Sequence, residues 1–309
     1  MELIVVAGLF IFALLEFLRV IDASGSVASQ ASATALFVLL VGSYLGLSID
    51  PLRRALRGAV STGFARQAVG PFVLLTVIAV YSATTGSPAI SLIALYAVYL
   101  FLPLVILTQR RQLSHPRVRQ LAAAVVLWLP IEFGLLRLQL GEAYDATHLV
   151  AMVMGLYCFL ILEPVEGIGY TFQFRRRDWG RAIVALVVYL AVAVPIGFST
   201  DFVVWHPRLT TPNLVAEPLH IYLWIAVPEE LLFRGIIQNL CVRWLGIWRG
   251  LAVAAIVFGL AHLPDLRYVF LATLAGVAYG WVYWRTERIT ASALTHAAVD
   301  WVWKLAFQR

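Results

Sequence analysis

Charge is scarce in this chain: Asp, Glu, Lys and Arg together make up 13% of 309 residues, against about 25% in a typical soluble domain. Lysine is nearly missing, since 22 of the 23 basic residues are arginine and only Lys304 is lysine. The two cysteines, Cys158 and Cys241, both lie in apolar stretches and read as packed thiols, not as a disulfide framework or a metal cluster. There is no Gly-x-Ser-x-Gly nucleophile elbow and no His-Glu-x-x-His zinc helix anywhere in the chain. What replaces charge is apolar surface, 61% of residues, with a mean hydropathy of +0.86. A cytosolic enzyme or a soluble binding module is excluded by that balance. The net charge of +6 does not point to nucleic acid either, because the cations sit between apolar segments and not on one amphipathic face.

Unbroken apolar runs predict an all-α, polytopic transmembrane bundle of about 11 helices. The expected segments are 3–22, 29–48, 68–85, 90–108, 121–136, 149–165, 182–198, 219–241, 250–263, 268–284 and 289–306. The first is read as a span and not as a cleaved leader, because Met1-Glu2-Leu3 offers no positive n-region. Arginines orient the bundle. Those of the loops after every second segment are Arg53, Arg54, Arg57 and Arg66; Arg110, Arg111, Arg117 and Arg119; Arg175, Arg176, Arg177 and Arg181; Arg243 and Arg249; Arg285 and Arg288. By the positive-inside rule those loops and the amino terminus are cytoplasmic. A multi-pass protein of a bacterial inner (plasma) membrane is the expected setting. The polar break from Ser199 to Pro218 suggests two parts, an amino-terminal bundle over 1–205 and a carboxyl-terminal one over 215–309.

A charge at bilayer depth costs at least about 2.5–3.5 kcal/mol on insertion scales, so the polar residues inside apolar segments are informative. They are Glu16, Glu132, Glu163, Glu229, Glu230, Arg234, His262, His296 and Asp300. Six of the nine lie at or beyond Glu229. In Pro228-Glu229-Glu230-Leu231-Leu232-Phe233-Arg234, helical periodicity puts Glu230 about 40° from Arg234, and Glu229 about 140° away. Glu230 is therefore the expected ion-pair partner of Arg234. Glu229 has no local partner and needs a counter-group, a cation or a proton from elsewhere. Phe258 and His262 share a face near the end of the next helix, and His296 and Asp300 repeat the i, i+4 spacing on the last. Asp300 is expected to hold the His296 tautomer.

One free carboxylate and two histidines on three helices suit the activation of water, with a carboxylate as base and an imidazole facing a developing oxyanion. The same atoms of Glu229, His262 and His296 would also suit a divalent metal such as zinc with an open fourth position. Residue types do not separate the two schemes.

The order Glu-Glu-x-x-x-Arg, Phe-x-x-x-His, His-x-x-x-Asp resembles the CPBP family of intramembrane endopeptidases. That family includes type II CaaX prenyl proteases and bacteriocin-processing or self-immunity proteins. The resemblance covers Pro228 to Asp300. It implies hydrolysis of a peptide bond in a membrane-anchored protein or peptide, with Glu229 and His262 preparing water, and His296 and Asp300 facing the tetrahedral intermediate. Glu230, Arg234 and Phe258 are supporting positions. The prenyl-protease type carries asparagine where this chain has Asp300, and an ionised carboxylate donates no hydrogen bond.

Two other readings fit intramembrane acids and histidines: an ion- or proton-coupled transporter, and a catalytically silent scaffold on the same fold. No inverted repeat or paired broken helix favours the transporter. Gly276 and Gly280 predict close helix packing. Tyr268, Tyr279, Trp281, Tyr283 and Trp284 are expected as interfacial anchors. Glu16, Glu132 and Glu163 are read as structural or cavity residues.

Overall fold

The computed structural model describes residues 2–21, 25–61, 63–85, 90–108, 115–141 and 144–308. Met1, Arg110 and Arg111, used above for topology, lie outside them. The described chain is all-α but for two short two-stranded ladders. Each of the eleven apolar segments is one helix. Two short helices, Asp50–Val60 and Phe64–Gln67, are added between the second and third. Neither is an apolar run: Asp50–Val60 carries Arg53, Arg54 and Arg57 beside Leu52 and Leu56, so it is amphipathic and not a span.

Among the described residues, four helices are long and apolar enough to cross a bilayer: Glu2–Val20, Val27–Gly46, Ile90–Thr108 and Arg176–Ser199. With the shorter apolar helices Val69–Thr84, Thr147–Leu162 and Ile247–Leu260, they make this an integral membrane protein.

Two compact units divide the chain at Val165/Glu166, not at the polar break after Ser199. The reason lies in the helix Arg176–Ser199, which packs on Leu266–Thr286 and Ile289–Ala306. Its first turn is fixed by Asp178, which accepts from Arg175 N at 2.8 Å and from Arg288 Nη1 at 2.9 Å.

In the first unit, Phe17 stacks on Phe37 at 4.1 Å and Tyr144 meets both rings edge-on. The acids noted in its apolar segments are engaged: Glu16 with Arg19 at 2.9 Å, Glu163 with Arg119 at 2.9 Å, and Glu132 with Trp128 Nε1 at 3.1 Å.

The second unit opens with an extended strap in which Ile168, Tyr170 and Phe172 are buried, the period of two expected of an extended chain over a core. Carbonyls of the strap accept from Tyr283 Oη at Gly167 (2.7 Å) and Thr290 Oγ1 at Thr171 (2.5 Å). Gly169 has φ +62, and a Cβ there would run into the Glu287 carbonyl, so glycine is required on both counts. The Ser199–Pro218 region is more ordered than a loop. Val204–Trp205 pairs antiparallel with Phe307–Gln308, and the next helix already starts at Thr211. Gly276 lies against Ala255 and Gly280 against Gln238 and Leu251, which lets Leu266–Thr286 approach its neighbours closely.

Candidate active site

The helix over 211–245 carries the Glu-Glu motif in an irregular stretch. Pro228 has no N–H to return to the preceding turn, and the ladder widens into π turns over Tyr222–Ala226 and again over Leu231–Gln238. Only Val227–Glu230 between them is α-helical. Such widened turns concentrate at functional sites. Here they flank the two glutamates.

Glu230 and Arg234 are fully buried, with Arg234 Nε 3.2 Å from Glu230 Oε2. The guanidinium nitrogens make no hydrogen bond among the described residues. Aromatic faces surround the cation instead, Phe258 at 4.5 Å and Tyr279 at 5.4 Å from Cζ. Cation–π contact of this kind strengthens once water is excluded. Phe258 thus forms a wall between the buried arginine and the histidines. Its ring centroid is 5.0 Å from His262 and 5.7 Å from His296.

His296 is the hub. Nδ1 lies 3.0 Å from Glu230 Oε1, Nε2 lies 3.4 Å from Asp300 Oδ2 and 3.8 Å from Glu229 Oε2, and Tyr279 stacks on the ring. This corrects one expectation. Asp300 does not orient the ring alone: Glu230 holds Nδ1, while Asp300 meets the other nitrogen. The carboxylate of Glu230 serves two neighbours because its two oxygens point to different elements. Ser292, unremarked in the sequence, adds its Oγ at 2.5 Å from Glu230 Oε2.

His262 stands just beyond its helix, which ends at Leu260 and not at 263. The residue before Pro264 disfavours the α region, and the helix stops short of it. Nδ1 of His262 is 2.9 Å from the Phe258 carbonyl and donates to it, which puts the acceptor lone pair on Nε2. Tyr268 meets the imidazole edge-on at 4.4 Å. This is a second correction: Tyr268 lines the site and Tyr279 and Tyr283 are buried, so these three are not interfacial anchors.

One cavity of about 400 Å³ is lined by Glu229, His262, His296 and Asp300 together with Phe258 and Tyr279. The side chain of Glu229 is 37% exposed and opens on it, whereas Glu230 and Arg234 lie behind the wall. Among the described residues no three His, Cys, Asp or Glu side chains are placed to hold a metal ion.

Residues 211–302 match the family model for type II CAAX prenyl endopeptidase Rce1-like proteins. Over this segment the chain is similar to the CPBP, or CAAX protease, family. The match takes in all three motifs and, as far as residue 302, the three helices that carry them. The family is one of intramembrane endopeptidases of CAAX type. No curated protein and no solved structure matches the chain.

Proposed function

We propose that this protein is an intramembrane endopeptidase that cleaves a membrane-anchored protein or peptide with water activated by Glu229 and His262. The observation that carries the reading is the single cavity shared by Glu229, His262, His296 and Asp300 inside the segment that matches the family model. Glu229 is the acid that opens on the cavity and has no hydrogen-bonded cation of its own, so it is suited to take a proton from water. His262, with Nδ1 committed to Phe258 O, accepts the other water hydrogen at Nε2. The water oxygen, keeping the hydrogen that it donates to His262 Nε2, then bonds to the scissile carbonyl carbon, and the carbonyl oxygen becomes an oxyanion. With acids on both nitrogens, His296 is a donor at each, and its Nε2–H faces that charge. The proton held by Glu229 passes to the amide nitrogen as the C–N bond breaks. No step is routed through a metal.

The cavity also sets the substrate's approach. Beside polar groups that include Lys304 and Gln308, its walls hold Tyr189, Phe202, Leu271 and Trp303, apolar surfaces that suit a segment arriving from lipid. The arginine-rich loops support an amino terminus on the cytoplasmic side of a bacterial inner membrane.

Terminal proteomics of membranes holding the wild-type chain or Glu229→Gln tests the proposal. New amino termini on membrane proteins are expected with the wild type and not with the variant, at equal levels of folded protein. Identical termini in both, or an ion flux that depends on Glu229, would overturn it.

A further inference from the structure

The chemistry above leaves Tyr279 without a part. It is 1% exposed, and its ring lies 4.6 Å from that of His296 at an interplanar angle of 14°. The ring also lies 5.8 Å from Phe258 and 5.4 Å from the Arg234 guanidinium. Its backbone is tied to the same network, since Ser292 Oγ lies 2.8 Å from the Tyr279 carbonyl and within hydrogen-bond distance of Glu230.

An imidazole on a fixed backbone can still turn about its Cβ–Cγ bond, a broad torsion with shallow preference. Glu230 restrains Nδ1 within the ring plane. Asp300, at 3.4 Å from Nε2, is a second and longer contact on the ring edge, and neither acid offers a face that holds the plane against tilting. A nearly parallel aromatic ring against one face does stop it, and edge-on Phe258, at 88° to the imidazole, closes the space on another side. An aliphatic side chain of similar bulk offers no flat face. We infer that Tyr279 is a positioning residue whose ring sets the plane of His296 and thereby aims Nε2 into the cavity. The inference rests on the endopeptidase reading for its effect on rate, but not for its effect on His296.

Two readouts therefore test it. In the reconstituted full-length protein with a cleaved substrate from the proteomic screen, Tyr279→Phe should keep kcat within about threefold, because the face is retained. Tyr279→Leu should lower kcat about 10- to 100-fold with KM nearly unchanged, the pattern of a misaimed group and not of lost binding. Separately, ¹⁵N-histidine NMR, with the His296 signals assigned by their loss in His296→Gln, should show those signals unmoved in Tyr279→Phe and shifted in Tyr279→Leu. This arm needs no peptidase activity, so an inactive wild type would sink the endopeptidase reading and leave the Tyr279 inference to be decided by the spectra.

Unchanged His296 signals and kcat in Tyr279→Leu would overturn the inference. Equal losses in Tyr279→Phe and Tyr279→Leu would overturn it too, by assigning the effect to the hydroxyl. Should Tyr279→Leu fail to fold, relaxation dispersion on the wild type decides: a fixed ring gives no μs–ms exchange at His296, and exchange there would refute the positioning role.

Discussion

The Glu230 carboxylate spans two partners, with Oε1 3.0 Å from His296 Nδ1 and Oε2 3.2 Å from Arg234 Nε. The acid that neutralises the buried arginine is therefore also the acid that orients the histidine. Stability and chemistry meet in one side chain.

Glu230→Ala should lose both. Removing one member of a buried ion pair costs about 3–5 kcal/mol, and Arg234 is here left with aromatic neighbours only. Thermal unfolding in detergent should show a marked drop. Glu230→Gln, which keeps the volume, should fold better than Glu230→Ala and still cleave more slowly than wild type, because a neutral amide holds His296 less firmly. Wild-type stability in Glu230→Ala would refute the shared role.

Glu229→Gln should behave in the opposite way. The side chain is partly exposed to the cavity, so its unfolding temperature should stay near wild type. Loss of a general base lowers turnover by about 10²–10⁴-fold. Cleavage by Glu229→Gln at a rate near wild type would remove Glu229 from the chemistry.

Arg234→Lys keeps the charge but loses the flat guanidinium that lies against Phe258 and Tyr279. Arginine and lysine are not equivalent at a stacked site. A destabilisation of about 1–2 kcal/mol is expected, on the scale of a desolvated cation–π contact, and denaturant titration reads it.

Asp300→Asn puts a hydrogen-bond donor beside His296 Nε2, where the prenyl-protease type of the family carries asparagine. Activity should be kept or raised in this variant. Asp300→Ala, with no polar group at the position, should fall by about tenfold or more, on the scale of a lost partner that orients a catalytic histidine. A larger loss in Asp300→Asn than in Asp300→Ala would show that the negative charge is what matters.

Chelation separates the two water-activating schemes. Since no three ligating side chains converge among the described residues, cleavage should persist at full rate after prolonged treatment with a strong chelator. A loss restored by zinc would mean that Glu229, His262 and His296 rearrange around a metal.

Much of the architecture was legible without coordinates. Each apolar run became a helix because hydrophobic length is a local property, written in consecutive residues. The i, i+4 spacing of Glu230 with Arg234, and of His296 with Asp300, likewise predicted contacts that a single helix enforces. The amphipathic Asp50–Val60 is not legible as an unbroken apolar run, because Arg53, Arg54 and Arg57 interrupt it. The end of the His262 helix was misjudged by three residues, although Pro264 was there to mark it.

What only the tertiary structure decided are the contacts between helices. Nothing in the order of residues ties Glu230 to His296, 66 positions away, or lays Tyr279 flat on the same imidazole. In sequence Tyr279 is one aromatic among several near a helix end, and only packing distinguishes a ring that meets lipid headgroups from one that meets a histidine. The identities of the acid and the imidazoles are inherited from the chain. Which oxygen faces which nitrogen depends on how far each helix slides and turns against its neighbours, and that is settled by packing between helices, of which the close approach at Gly276 and Gly280 is one case, not by periodicity.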